Sequence, residues 1–239
     1  AVEKFSSDSE GYISSVAAGG KEYECQMVIL AAGVKPNVKL AKEARIAVGP
    51  TGAIKVDRRM ETSVKNVFAA GDCAESIHLV SGKPCWYPLG STANKQGRVA
   101  GANITGGKKI FKGVAGTSIV KVFDITAGRT GLSEREAGEA GYDPAAVTVT
   151  TPVKAGYYPG KDSVTLKLIA DSGSKKLLGA QAVGDTSVDK VIDTAAAALT
   201  GNISIPDLTN IDLAYSPPYS TALGTVIVAA SVLEEKLGL

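Results

Sequence analysis

No Cys-x-x-Cys pair occurs in the 239 residues, and the three cysteines, Cys25, Cys73 and Cys85, are an odd number. A disulfide framework and a zinc knuckle are therefore set aside, no metal site is expected, and a reducing cytoplasm fits best. Lys and Arg, 26 together, are scattered among 24 Asp and Glu without a run of one sign. That excludes the basic stripe that nucleic acid or an anionic membrane would need. No apolar stretch reaches the length of a membrane span; even Val226 to Val232 is short and contains Ser231. The chain opens Ala1-Val2-Glu3-Lys4-Phe5, with no initiator Met, basic region or apolar core of a signal peptide, and reads as though entered mid-protein.

Aromatics are scarce at 5% while glycine numbers 27, so small side chains and tight turns must take over much of the packing. With 44% hydrophobic and 21% charged residues, the chain has the texture of a globular protein of one large or two modest domains. Tyr12 to Val16, the Gly19-Gly20 turn and Tyr23 to Leu30 predict an antiparallel hairpin. Pro36 forces Lys35 out of helical geometry and ends the apolar run Met27 to Ala32. Two further strands are predicted at Ile54 to Val56 and Val67 to Ala70, the second buried on both faces of a parallel sheet. A helix follows over Pro88 to Ile104, with Ala93, Gly97 and Ala100 forming one smooth face.

The texture changes near Gly113. Ser118 to Phe123 alternates like a strand, and Ser133-Glu134-Arg135-Glu136 makes a capping box for a short helix ending at Gly141. Three strands are expected at Val147 to Val153, Val164 to Ala170 and Leu177 to Val183, the last two joined through Asp171-Ser172-Gly173. Helices over Ser187 to Leu199 and Ala222 to Lys236 carry apolar stripes that need a surface to cover. The predicted architecture is an α/β segment followed by an α+β domain whose antiparallel sheet is covered by helices.

The most specific stretch is Thr62 through Asp72, a turn, a buried strand and an acid at the strand's carboxyl end, where ligands bind in open α/β sheets. Asp72 there can accept hydrogen bonds from a polyol or ribose hydroxyl, and Gly71 lets backbone approach closely. On those two residues alone, a simple strand-terminating turn is the better reading. Downstream, Trp86 through Arg98 opens a helix whose free backbone N–H groups could face an electron-rich ring edge.

With these pieces in order, the chain resembles the pyridine nucleotide-disulfide oxidoreductases, in the branch containing NADH oxidase, NADH peroxidase and coenzyme A disulfide reductase. Ala31 through Asn37, including Gly33, is similar to that family's exit from its NAD domain; Val67 through Asp72 resembles its second FAD motif, and Pro88 through Arg98 its flavin-facing helix. The resemblance implies that residues 1–45 end an NAD(P)-binding domain, 46–113 form the C-terminal part of an FAD-binding domain, and 114–239 form the dimerisation domain. It implies that Gly33, Gly71, Asp72, Pro88, Leu89, Gly90, Ala93 and Asn94 contribute to cofactor binding, with Asp72 on the ribityl chain. Tyr157 and Tyr215, in Gly156 to Gly160 and Asp212 to Tyr219, match tyrosines that enter the partner subunit's active site in coenzyme A disulfide reductases. A phenol so placed can donate to a thiolate or an oxyanion. The alternative is that Tyr-Tyr-Pro-Gly is a turn and Pro217-Pro218 a stiff linker, with half-buried packing tyrosines.

No Gly-x-Gly-x-x-Gly fingerprint occurs, so the resemblance implies a piece of a longer homodimeric enzyme that moves a hydride from NAD(P)H through FAD to a small disulfide, a polysulfide or oxygen. The chain by itself should hold FAD weakly or not at all. A competing expectation is a catalytically silent dimerisation or binding module without flavin. Cys25, Cys73 and Cys85 are expected to be structural, and His78 a loop residue.

Overall fold

The computed structural model describes all residues, Ala1–Leu239, and the chain divides into two compact units, Ala1–Lys35 and Pro36–Leu239.

In the first unit, β1 (Val2–Ser7), β2 (Ile13–Ala18) and β3 (Lys21–Glu24) form an antiparallel sheet in the order β1-β2-β3. Ala18 pairs Lys21, leaving Gly19 and Gly20 as a two-residue loop with φ of +58° and +71°. Both positions are left-handed, the geometry of the type I′ turn whose twist suits a hairpin. The expected hairpin is present, with β1 added on its outer edge. The third strand, however, stops at Glu24 instead of continuing to Leu30. Met27, Ile29 and Leu30 stand 77%, 84% and 71% exposed. A strand exists only where a neighbour takes its N–H and C=O groups, and beyond Cys25, whose N–H donates to the Ser14 carbonyl, this unit offers none.

The second unit starts with the short helix α1 (Lys39–Glu43) and a stretch of turns packed around Met60, Ile54, Ala69, Ala74, Val99 and Phe111. The predicted strands at Ile54 to Val56 and Val67 to Ala70 are only single bridges, Ile54 with Val48 and Ala74, and Phe68 with Glu61. Their hydrophobicity buries them, but no continuous ladder runs beside them. A small hairpin of β4 (Ser76–Ile77) and β5 (Pro84–Cys85) leads to α2 (Gly90–Ile104). The helix begins two residues after Pro88, because Leu89 is extended at φ −129°, ψ 137° and acts as the N-cap.

Five strands then make an antiparallel sheet: β6 (Ser118–Val122), β7 (Ile125–Gly131), β8 (Pro144–Pro152), β9 (Ser163–Asp171) and β10 (Leu177–Gly184), in the order β6-β7-β10-β9-β8. The three expected strands are β8 to β10. The sequence pattern missed β7, whose Gly128 and Gly131 obscure the alternation. Gly128 is needed there, since a Cβ would lie 2.9 Å from Ile192 and 3.3 Å from Val188. Helices α4 (Val188–Thr200) and α6 (Thr225–Lys236) cover one face, α4 on β7 and β10, α6 on β8 and β9, with α5 (Ile205–Thr209) packed on α6. Leu166, Leu168, Ile192, Leu208 and Leu233 are sealed in this core. Of the stripe expected on the last helix, Val226, Ile227, Ala230 and Leu233 are buried, while Leu223 lies outside the helix and is exposed. On the other face, Val120, Val122, Ile125 and Val183 remain exposed.

Helix α3 (Glu134–Ala140) starts with the expected capping box: Ser133 Oγ accepts from Glu136 N at 3.2 Å, and Glu136 Oε2 accepts from Ser133 N at 2.7 Å. Gly141 closes it at φ +99°. Arg129 also donates to Glu136. Burial works against the Glu136 charge, but the hydrogen bonds from Arg129 and Ser133 outweigh it and pull its pKa from 4.5 to about 2. A depressed carboxylate stabilises fully above its ordinary pKa and loses that stabilisation as pH falls through the folded value. The thermal midpoint should therefore fall more steeply between pH 4.5 and 2 in the wild type than in Glu136→Gln. At pH 7 the same substitution should cost about 1 kcal/mol in chemical denaturation.

Candidate functional site

Gly71 has φ +82°, so the chain can reverse after Ala70 without side-chain strain. Its N–H donates to Gln96 Oε1 at 2.8 Å, and Gln96 Nε2 donates to Ser76 Oγ at 2.9 Å. Gln96 is completely buried. Both ends of its amide are satisfied, so it locks the Gly71-Asp72 turn to α2. Gln96 is not on the face that spacing predicts, Ala93, Gly97 and Ala100. Of those three Ala100 is buried, together with Thr92, Gln96, Val99 and Asn103, while Gly97 faces open space. The signal that could have found Gln96 is its place at i+4 from Thr92 and three before Val99, on one helical stripe. Ala93 does touch the turn: a Cβ on Gly71 would sit 3.6 Å from its methyl.

Trp86 Nε1 donates to the Asp72 carbonyl at 2.8 Å, tying the segment that precedes α2 to the same turn. The Asp72 carboxylate is exposed and unpaired within the chain. At the helix start no side chain caps the backbone, and the first intrahelical bond runs from Ala93 N to the Leu89 carbonyl at 2.9 Å. The N–H groups of Gly90, Ser91 and Thr92 therefore lack a helical acceptor and form a positive end. Gly71, Asp72, Pro88, Leu89, Gly90 and Ala93 are thus gathered in one place, with Asn94 exposed on the same helical turn. Chemically, the cluster offers an anionic acceptor for hydroxyls beside N–H donors for an electron-rich edge. Gly33 belongs to the first unit, where it is exposed at φ +79°.

Tyr157 and Tyr215, 58 positions apart, meet. Their loops are joined by Ala155 N donating to the Pro217 carbonyl at 3.2 Å. A hydrogen bond to Tyr215 raises the Tyr157 pKa above the ordinary phenol value, and desolvation adds to it. Both rings remain accessible, 78% and 51% exposed. Gly156 and Tyr157 lie in a turn.

Burial, with Glu75 nearby, pushes the Cys85 thiol up to about 12, and Cys73 Sγ lies 3.5 Å from the Ala70 carbonyl. All three cysteines are free, and no group of three or more His, Cys, Asp and Glu is arranged to hold a metal. His78 lies outside the helices and named strands, as expected, yet is only 2% exposed. Its Nδ1 accepts the N–H groups of Val80 and Ser81 at 3.2 and 3.3 Å, and burial lowers its pKa. No helix is long and apolar enough to cross a membrane.

Comparison with known proteins bears on this arrangement. The NAD(P)H sulfur oxidoreductase (CoA-dependent) of Pyrococcus furiosus is 45% identical over 222 residues, 93% of this chain and 50% of that protein. The coenzyme A disulfide reductase of Staphylococcus haemolyticus is 35% identical over 202 residues, 84% of this chain and 46% of that protein. Among solved structures, an NAD-dependent persulfide reductase from A. fulgidus superposes with a TM-score of 0.93 at 46% identity, over 99% of this chain and 44% of that one. The chain spans about half the length of these relatives. The family model described as pyridine nucleotide-disulphide oxidoreductase matches residues 1–97, and that of the family's dimerisation domain matches 117–227. The chain belongs to the pyridine nucleotide-disulphide oxidoreductase family.

Proposed function

We propose that this chain supplies part of the FAD site and the subunit interface of a homodimeric NAD(P)H oxidoreductase that reduces coenzyme A-linked disulfide or persulfide sulfur. The meeting of Tyr157 and Tyr215, on loops that the Ala155 N–H and the Pro217 carbonyl join, carries that reading. FAD, when bound, takes the hydride from NAD(P)H and passes electrons on to sulfur. The residues of the turn and helix fit such a group: Asp72 would accept from the ribityl hydroxyls, and the uncapped N–H groups of Gly90 to Thr92 would be donors for an electron-rich ring edge. Ala93 and Asn94 would line the same site, and Gly71 would keep the approach clear.

A Tyr157 phenol donating to Tyr215 would polarise the Tyr215 hydroxyl and make it the stronger donor toward a thiolate leaving from a disulfide, so that Tyr157 acts through Tyr215. Sulfur as acceptor, in preference to oxygen, is also what the names of the relatives from P. furiosus and S. haemolyticus would suggest. The three free cysteines accord with a cytoplasmic location.

In the flavoprotein that contains this chain, Tyr215→Phe should lower the rate of coenzyme A disulfide reduction by about 10- to 100-fold, and Tyr157→Phe by less. Flavin reduction by NAD(P)H should be unchanged in both. Full disulfide turnover in Tyr215→Phe would remove the tyrosine pair from the reaction, and absence of flavin from the wild type would favour a silent binding module.

A further inference from the structure

The segment 153–162 that carries Tyr157 has little packing of its own at the tip, where the ring is 78% exposed. What fixes it lies at its base. The Asp162 carboxylate takes a hydrogen bond from Lys154 Nζ at 3.4 Å, within the same loop, and another from Thr186 Oγ1 at 3.3 Å, in the turn between β10 and α4. The Asp162 carbonyl accepts from Val153 N at 3.1 Å. Lys154 and Asp162 keep only 29% and 32% of their side-chain surface, so the ion pair is partly shielded. Gly160 makes room for it. With φ +104° it allows the chain to fold back, and a Cβ there would meet Lys154 Nζ at 3.0 Å.

The Tyr215 loop is anchored to the same neighbourhood. Lys190, in the first turn of α4, donates to the Tyr219 carbonyl at 3.3 Å. The start of α4 therefore touches both tyrosine loops, one through Thr186 and Asp162, the other through Lys190.

We propose that Asp162 is the positioning residue of the tyrosine pair, its carboxylate clamping Lys154 and Thr186 so that the Tyr157 phenol is held against Tyr215. This rests on the reading that the two phenols act together. Without the carboxylate, the loop keeps its link through Ala155 to Pro217 but loses its tie to the β10–α4 turn. An exposed ring on a loop freed at one end samples many rotamers, and a single phenol–phenol hydrogen bond does not offset that entropy.

The test places 3-fluorotyrosine at position 157 of the 239-residue chain and follows its ¹⁹F shift through a pH titration in the wild type, Tyr215→Phe, Asp162→Ala, Asp162→Asn and Thr186→Val. Circular dichroism checks folding of each. The wild-type phenol should titrate higher than that in Tyr215→Phe. Asp162→Ala should titrate like Tyr215→Phe, Asp162→Asn should recover part of the difference through its remaining acceptor oxygen, and Thr186→Val should fall between. If Tyr215→Phe leaves the titration where it was, the pair itself is absent. If Tyr215→Phe shifts it while folded Asp162→Ala and Thr186→Val do not, the pair stands and Asp162 does not position it. Should Asp162→Ala fail to fold, Thr186→Val decides alone.

Discussion

Gly179→Ala should destabilise the second unit by about 3 kcal/mol, at the upper end of the usual cost of overpacking. A Cβ at this position would lie 2.0 Å from the Leu132 carbonyl oxygen and 2.8 Å from the Leu132 nitrogen. Both are backbone atoms, so no side-chain rotation relieves the collision. Leu132 N donates to the Leu178 carbonyl at 2.9 Å, which is the bond that brings the end of β7 against β10. Separating them opens the join where Leu132, Ala137, Ile169 and Leu178 pack. At this chain length the loss corresponds to a fall of about 6–12 °C in thermal midpoint. Gly138→Ala provides the contrast. It lies inside α3, where a Cβ meets nothing within 4 Å, and should stabilise by about 0.5–1 kcal/mol. Equal effects at the two glycines in calorimetry would mean that the close approach of Gly179 does not shape the domain.

Subunit complementation should restore activity from two impaired variants. In the proposed homodimer, Asp72 serves the flavin of its own subunit while Tyr157 and Tyr215 reach the site of the other. Asp72→Ala removes a carboxylate whose hydrogen bonds to hydroxyls are charge-assisted, and flavin affinity should fall by about 10- to 100-fold. Tyr215→Phe leaves flavin bound but slows sulfur reduction. When the two are mixed and reassembled, about half the dimers are mixed, and each has one site with Asp72 and a partner's Tyr215 both intact. About a quarter of wild-type activity should return. If the tyrosines act within their own subunit, every site in the mixture lacks one group and nothing returns. That outcome would reject the subunit-crossing arrangement while leaving the roles of the residues open.

Much of the fold was legible in the sequence wherever a local rule decided it. The Ser133–Glu136 capping box, the Gly19-Gly20 turn and strands β8 to β10 depend on contacts a few residues apart or on period-two alternation, and all are present. Strand β7 was hidden because Gly128 and Gly131 answer to α4 and to Leu178, neighbours distant in sequence. The predicted strands at Val67 to Ala70 and Met27 to Leu30 went the other way. Their apolar runs satisfy the pattern, yet a strand also needs a neighbouring backbone, which no periodicity supplies.

The candidate site divides along the same line. The order of Gly71-Asp72 before the Pro88 to Arg98 stretch was enough to point to a nucleotide-binding turn and a helix beside it. That Gln96 joins them was invisible, because a buried amide is paid no attention by hydrophobic patterning until the groups it satisfies, Gly71 N–H and Ser76 Oγ, are brought to it. The tyrosines were found by resemblance, but their contact with each other belongs to the tertiary structure. The sequence by itself determined which residue types were available and which local turns and helices they form, since those follow from backbone dihedrals and side-chain spacing. Only the folded chain decided that Tyr157 meets Tyr215, that Gly179 must lack a side chain and that Asp162 ties Lys154 to Thr186, because each depends on distances between segments that no spacing rule encodes.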